Sequence, residues 1–286
     1  MTDSAPPTSN PSADSAATRL PSALAVVSRF VHLGPNRVPA LLAHPDWVTP
    51  APTVIWIHGR TVSKELDNGR YLRWMRAGIA TCAIDLPGHG ERFDRAMQDP
   101  ANTLLVIAQA VSEIDGVVAA LGHPQWGGAF DLARLALGGM SAGGMTSLRR
   151  LCDPHPFVCA SVEGTGGNLG MLYGDLARPG AITHPPAAIA AIDPMAHLGT
   201  FRPIPLLALH SELDQIVPIR CIRSFIESLR AKYGPALVHA PIELRTWPET
   251  GAPMEHNGFG RVANDAKLAQ LEFLQRYLSP VVPATR

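Results

Sequence analysis

The spacing of apolar positions changes several times along the chain, and the changes mark out its elements. Ala25 to Leu33 and Val38 to His44 are β-rich runs separated by Gly34, Pro35 and Asn36, which predicts a hairpin. Thr53 to Ile57 (T-V-I-W-I) is a continuous apolar run stopping at His58-Gly59, the pattern of a strand buried on both faces. From there strand and helix patterns alternate. Helices are predicted at Leu66 to Ala77, Asn102 to Leu121, Gly143 to Cys152, Ile219 to Tyr233 and Val262 to Tyr277. Strands are predicted at Ile79 to Asp85, Leu132 to Gly138, Phe157 to Glu163, Pro205 to His210 and Ile242 to Trp247. Within Asn102 to Leu121 the residues Leu104, Ile107, Ala108, Val111, Ile114, Val118 and Leu121 fall on one helical face. Such alternation implies a mostly parallel sheet covered on both faces. Right-handed crossovers then bring the strand C-termini to one edge, where ligands bind in open α/β sheets.

Two stretches depart from this pattern. Residues 1–20 are rich in Ser, Ala, Pro and Thr, too poor in bulky apolar groups to offset their ordering entropy, and are expected to be a mobile tail. Residues 165–202 carry many Gly and Pro residues, with only short helical patches such as Pro186 to Ile192, and are expected to form a small lid or excursion over the strand edge. The rest, residues 21–286, reads as a single α/β domain.

Composition narrows the function classes. The 286 residues carry 24 Lys plus Arg against 24 Asp plus Glu, so no net field favours nucleic acid or an anionic membrane as partner. The continuous apolar runs fall short of a bilayer span. The N-terminus has neither a basic segment nor an apolar one of the secretory kind. Four cysteines in a chain of this length do not suggest a disulfide framework, and a reduced, cytoplasmic setting is expected. No Cys/His grouping has zinc spacing and no Walker A sequence occurs, so neither a metal nor a nucleotide is expected. Gly164 to Gly170 (G-T-G-G-N-L-G) has the wrong spacing for a dinucleotide loop and follows a late strand.

The chemistry concentrates at Gly139-Met140-Ser141-Ala142-Gly143, a G-x-S-x-G segment between a predicted strand and a predicted helix. A sharp turn there would crowd its flanks, hence glycine on both sides, and would aim the Ser141 hydroxyl at solvent. A serine nucleophile needs a base and a group that orients the base. Asp214 follows a strand end in S-E-L-D-Q-I-V-P, with Glu212 and Glu163 as rivals for the acid. His256 follows the last strand, between Gly251 and Gly258, and completes the chain order Ser, Asp, His. His239 precedes that strand and His197 lies in the excursion. For the developing oxyanion, the backbone N–H of Ala142 is one expected donor. The other is the N–H of Arg60 in His58-Gly59-Arg60-Thr61, with Thr61 second, and His58 is expected to brace that loop by hydrogen bonding.

Taken together, His58-Gly59, the D-L-P-G-H-G-E-R segment from Asp85 to Arg92, G-M-S-A-G, Asp214 with its I-V-P, and His256 resemble the α/β-hydrolase superfamily. The similarity runs from about residue 24 onward and points to compact serine esterases of the dienelactone-hydrolase and prolyl-oligopeptidase-like kind. The oxyanion loop reads H-G-R-T rather than H-G-G-G. The resemblance implies an α/β-hydrolase fold with a mostly parallel sheet of about eight strands and a cofactor-free Ser–His–Asp mechanism. Its expected substrate is a small-molecule ester. A small peptidase, an acyltransferase and a non-enzymatic binding protein are the alternatives, and the oligomeric state is left open. Met171, Leu172, Tyr173, Ile182, Ile189 and Ile192 are expected to wall a short pocket that suits acyl groups of about two to six carbons.

Overall fold

The computed structural model describes residues 20–175 and 182–279. Eight strands form one sheet in the order β1-β2-β4-β3-β5-β6-β7-β8. They are β1 (Ser28–Leu33), β2 (Val38–Ala43), β3 (Ala51–Ile57), β4 (Ala80–Ile84), β5 (Phe130–Met140), β6 (Cys159–Glu163), β7 (Leu206–Ser211) and β8 (Ile242–Trp247). β2 runs antiparallel to both β1 and β4, and every other pairing is parallel. The expected hairpin is present, but its first strand starts at Ser28 rather than Ala25. Ser22–Ala25 is instead a helical turn, α1, which buries Leu24 completely and hands its carbonyl to the Ser28 hydroxyl at 2.7 Å.

β3 shows why its run is continuous. Ile55 and Ile57 enter the apolar cluster on one face, while Val54 and Trp56 enter the cluster on the other. α2 (Asn68–Arg76) contributes Tyr71 and Trp74 to the second cluster. α3 (Thr103–Leu121) and α4 (Ala142–Arg150) contribute to the first, as do α5 (Pro186–Ile192) and α6 (Arg220–Tyr233). α7 (Ala263–Leu278) returns to the second face with Phe273 and Leu274. Residues Pro100–Leu121, with a hydropathy of 1.8, are long and apolar enough by composition to cross a membrane. Here Ile107, Ile114 and Leu121 pack into the first cluster with β3, β5 and α4.

The buried face of α3 is turned relative to the expected one. Leu104, Ile107, Ile114 and Leu121 are buried as expected, but Ala108 is exposed and Val106, Ala110, Glu113 and Val117 take its place. The physical reason is Glu113, whose carboxylate takes both terminal nitrogens of Arg92 at 2.9 and 2.7 Å. That pair turns the acid inward and locks the D-L-P-G-H-G-E-R segment against the helix.

Of the expected lid, residues 176–181 lie outside the described residues, as do residues 1–19 of the expected tail; Leu20 is buried. The described limbs of the excursion are tied by Asp193, whose carboxylate accepts from the amides of Leu169, Gly170 and Met195 at 2.9, 2.8 and 3.1 Å. The rings of Tyr173 and His184 meet edge-on at 4.7 Å across it.

A polar cluster crosses the second core and joins α2, β6 and α7. Arg70 donates both terminal nitrogens to Glu163 at 2.5 and 2.7 Å and also bonds the Gln270 side-chain oxygen. Gln270 donates in turn to Ser161 at 3.0 Å. Removing one member leaves a buried charge uncompensated. Arg70→Met is therefore expected to lower the unfolding free energy by about 3–5 kcal/mol. The double change Arg70→Met/Glu163→Gln should recover most of that loss in urea denaturation; a double variant as unstable as the single one would contradict it.

Candidate active site

Ser141 sits between the end of β5 and the first residue of α4, with φ 52° and ψ −118°, a conformation that disfavours a side chain. The turn is held from several sides. The Ser141 amide donates to the Glu163 carbonyl at 2.9 Å, and the Ser141 carbonyl accepts from Thr165 Oγ1 at 2.8 Å and from the Met145 amide at 2.9 Å. The two flanking glycines have a steric reason. A Cβ on Gly143 would lie 2.1 Å from the Ile57 carbonyl oxygen, and one on Gly139 would lie 2.5 Å from the same atom.

The sequence-predicted trio comes together. His256 Nε2 is 2.9 Å from Ser141 Oγ, and His256 Nδ1 is 2.8 Å from Asp214 Oδ2. The other Asp214 oxygen accepts from the Ile216 and Val217 amides, both at 2.8 Å, so Asp214 also closes the turn that precedes α6. Burial alone would raise the Asp214 carboxyl, but donors from His210, His256 and the Val217 amide outweigh it and hold it at about 2. The rivals are engaged elsewhere. Glu212 is exposed and accepts from Thr246 at 2.8 Å, and Glu163 is paired with Arg70. His197 faces the carbonyls of Ala190 and Ala191, and His239 lies in the turn before β8.

The oxyanion loop is braced as expected. His58 Nδ1 donates to the Gly59 carbonyl at 2.6 Å, while its Nε2 accepts from the Leu86 amide at 3.1 Å. In a planar trans peptide the C=O and the following N–H point opposite ways. Holding the Gly59 carbonyl on the His58 side therefore turns the Arg60 N–H away from it. Gly59 itself lies against Ser141, since a Cβ on it would be 3.4 Å from the serine Cβ. Among the described residues neither the Arg60 nor the Ala142 amide donates a hydrogen bond. The Arg60 guanidinium anchors the loop by donating to Thr103 Oγ1 at 2.9 Å and to the carbonyls of Met97, Gln98 and Asp99.

Three supporting residues escaped the sequence reading. Lys64, buried, donates its ammonium to Asp85 at 2.8 Å behind the oxyanion loop, and its amide donates to the same carboxylate at 2.9 Å. Burial would raise the Asp85 carboxyl; the Lys64 ammonium and the hydrogen bonds the carboxylate accepts reverse this and hold it at about 2. Glu255 precedes His256 and, with Met254, adopts a left-handed conformation (φ 51° and 57°). Its carboxylate accepts from Ser211 Oγ, from the Thr250 amide and hydroxyl, and from the Gly251 amide, all at 2.6–2.7 Å. His210 is the third. Its Nε2 is 2.9 Å from the Val217 carbonyl and 3.4 Å from Asp214 Oδ2, while its buried Nδ1 has no partner. Only the Nε2–H tautomer suits that setting, so a second imidazole donor faces the aspartate that holds His256.

A cavity of about 730 Å³ opens beside Ser141 and His256. The six excursion residues expected to wall a pocket do not line it. Ile192 is core, and Leu172, Tyr173 and Ile189 pack against the core. The lining comes instead from residues between 59 and 70 and between 254 and 267, with Met140, Ser141, Glu163 and Ile216. The G-T-G-G-N-L-G loop serves close packing: a Cβ on Gly167 would lie 2.3 Å from the Phe225 side chain.

The eight-stranded sheet and the strained serine turn at its C-terminal edge define an α/β hydrolase, and the chain belongs to the α/β-hydrolase superfamily. It is 30% identical over 194 residues to the esterase YjfP of Escherichia coli (strain K12), an alignment covering 63% of this chain and 76% of that one. No family model matches it. Among solved structures it is similar to a puromycin-hydrolyzing peptidase of Mycobacterium tuberculosis (TM-score 0.67, 22% identity), over 88% of this chain and 40% of that one. It thus spans about two fifths of the peptidase. It is also similar to the Pyrococcus furiosus esterase PF2001 (TM-score 0.57, 18% identity), over 88% of this chain and 91% of that one.

His210 generates a prediction. Gln can place an amide N–H near the position of the imidazole Nε2–H, whereas Phe fills the space without a donor. His210→Phe is expected to lower kcat by about tenfold or more, the value of a buried hydrogen bond to a charged group, with little change in KM. His210→Gln should retain most of the rate. Equal losses in the two variants would show that only ring volume matters there.

Proposed function

We propose that the chain is a serine esterase that cleaves small carboxylic esters through an acyl-enzyme, with Ser141, His256 and Asp214 as the catalytic residues. The observation that carries this reading is the continuous hydrogen-bonded line from Ser141 Oγ through His256 to Asp214, at 2.9 and 2.8 Å. The fold, the 30%-identical esterase relative and the left-handed serine turn support it.

The chemistry follows from that line. His256 Nε2 takes the Ser141 proton as Oγ bonds to the ester carbonyl carbon. Asp214 orients the ring and stabilises the imidazolium. Charge develops on the former carbonyl oxygen, where the amides of Arg60 and Ala142 act as donors. Collapse breaks the bond to the alcohol oxygen, which leaves with the proton from His256. Water then gives a proton to His256 and its oxygen to the acyl carbon, and a second collapse releases the acid and restores the Ser141 hydroxyl. Esters are favoured over amides because expelling an alkoxide demands less protonation than expelling an amine.

Short acyl groups, of about two to six carbons, are the preferred substrates in this reading. The apolar lining formed by Val62, Leu66 and Met140 gives way to Asp67 and Arg70, so a long alkyl chain would press methylenes against charged groups. In a panel of aryl esters, kcat/KM is expected to peak within that range, and Ser141→Ala should abolish turnover. A steady rise toward long-chain esters, or retained turnover in Ser141→Ala, would overturn it. A proline-containing amide in the same panel tests the peptidase alternative.

The pH dependence has a definite sign. With its folded pKa near 2, Asp214 stays ionised through the neutral and mildly acidic range. Its pairing contributes stability above the usual carboxyl range near pH 4, and that contribution is lost as pH falls toward 2. Loss of activity on mild acidification therefore does not come from Asp214, and the base must be neutral to accept the serine proton. Activity should fall from about pH 8 to about pH 5 while far-UV circular dichroism stays constant. A flat profile with chemistry rate-limiting would exclude His256 as base.

A further inference from the structure

The cavity beside Ser141 is not a uniformly apolar slot. Val62, Leu66, Met254, Phe259 and Ala263 line it, but its lining also includes five charged residues: Arg60, Asp67, Arg70, Glu163 and Lys267. Asp67 is followed by α2, which carries Arg70, and Lys267 lies on α7 one turn before Gln270. What such a site selects depends on which of these groups already have partners.

The carboxylates are largely satisfied. Both Glu163 oxygens accept from Arg70, and one also accepts from Gln270 at 3.3 Å. Asp67 Oδ2 accepts from Trp56 Nε1 at 2.9 Å, and its Oδ1 is 3.6 Å from Arg70 Nε, beyond a hydrogen bond. The cations differ. Arg70 is tied by both terminal nitrogens to Glu163, and only its Nε, which is buried, lacks a hydrogen-bond partner. Lys267 has no carboxylate within 4.0 Å among the described residues, unlike Lys64, which has three. The five formal charges sum to +1, and with the Arg60 guanidinium held by Thr103 and three backbone carbonyls the choice of occupant falls to Lys267. A purely aliphatic group would set methylenes against its ammonium, which is unfavourable.

We propose that this cavity is a specificity subsite for an ester whose far end carries an oxygen acceptor, with a carboxylate as the form that pairs with Lys267. The preferred substrate is then a half-ester of a short dicarboxylic acid, or an ester of a short hydroxy acid, rather than a plain alkyl ester. The inference rests on the ester-hydrolase reading above and adds the chemistry of the substrate's far end. Lys267 acts here as a binding group and takes no part in the proton transfers, and Arg70 holds Glu163 beside it.

Matched esters test it: one series varies the terminus of the acyl chain and a second varies that of the alcohol, each ending in methyl, carboxylate or ammonium at equal length. For the native protein the carboxylate is expected to exceed methyl in kcat/KM by at least about tenfold in one of the two series, with ammonium below methyl. Lys267→Met should bring the carboxylate-to-methyl ratio to within about threefold of unity, mainly through the KM of the carboxylate ester. Arg276→Gln removes the same unit of charge from an exposed ion pair at the far end of α7 and should leave the ratio as it was. Carboxylate no better than methyl in both series would overturn the inference, as would a preference that survives Lys267→Met or is lost equally in Arg276→Gln. Absence of turnover on every ester would instead count against the esterase reading itself.

Discussion

The site depends on one close backbone approach, that of the Gly143 α-carbon to the carbonyls that end β3. No residue with a side chain fits there, because its Cβ would meet the oxygens of Ile57 and His58 at 2.1 and 2.6 Å. That contact lets the chain turn through Ser141 with a positive φ and start α4 immediately, which lifts the hydroxyl from the strand edge. It also places the serine beside the segment that follows β3, since His58, Gly59 and Arg60 continue directly from Ile57. Ser141 and the 58–60 segment, the proposed nucleophile and oxyanion loop, are therefore set by the same packing.

Around that contact, each loop that brings a reacting group carries its own buried carboxylate. Asp85 receives Lys64 behind the oxyanion loop, Glu255 gathers four donors beside His256, and Asp214 draws in two backbone amides while facing two imidazoles. Buried carboxylates with this many donors are costly to protonate or move, so they fix loop geometry before a substrate arrives. Thr61, Ser141, Met254 and Glu255, four of the six non-glycine residues with positive φ among the described residues, fall in these loops or at the serine turn. Backbone strain concentrates where preorganised dipoles are needed.

Much of this was legible in the residues. The T-V-I-W-I run and the alternating strands and helices reflect burial on two faces, and burial leaves a direct mark on residue type. G-M-S-A-G, Asp214 and His256 were legible because the turn needs glycine and the chain order is distinctive. The braces were not. Lys64, His210 and Glu255 act through partners distant in sequence or through loop conformation, and nothing in the local pattern distinguishes a buried lysine or glutamate from an exposed one. The face of α3 was misplaced for a related reason, because Glu113 is buried by its pairing with Arg92 against its own polarity. Of the excursion residues expected to wall a pocket, Leu172, Tyr173, Ile189 and Ile192 pack on the core, and the described cavity beside Ser141 is lined by other segments.

The central claim is that Ser141 reacts with its developing oxyanion directed at the Arg60 and Ala142 amides. A crystal structure of the protein phosphonylated by a small fluorophosphonate tests it most directly. The account predicts a single adduct on Ser141 Oγ, with the phosphonyl oxygen about 2.7–3.1 Å from both amide nitrogens. An adduct on another residue, or a phosphonyl oxygen turned to solvent with both amides unoccupied, would contradict it.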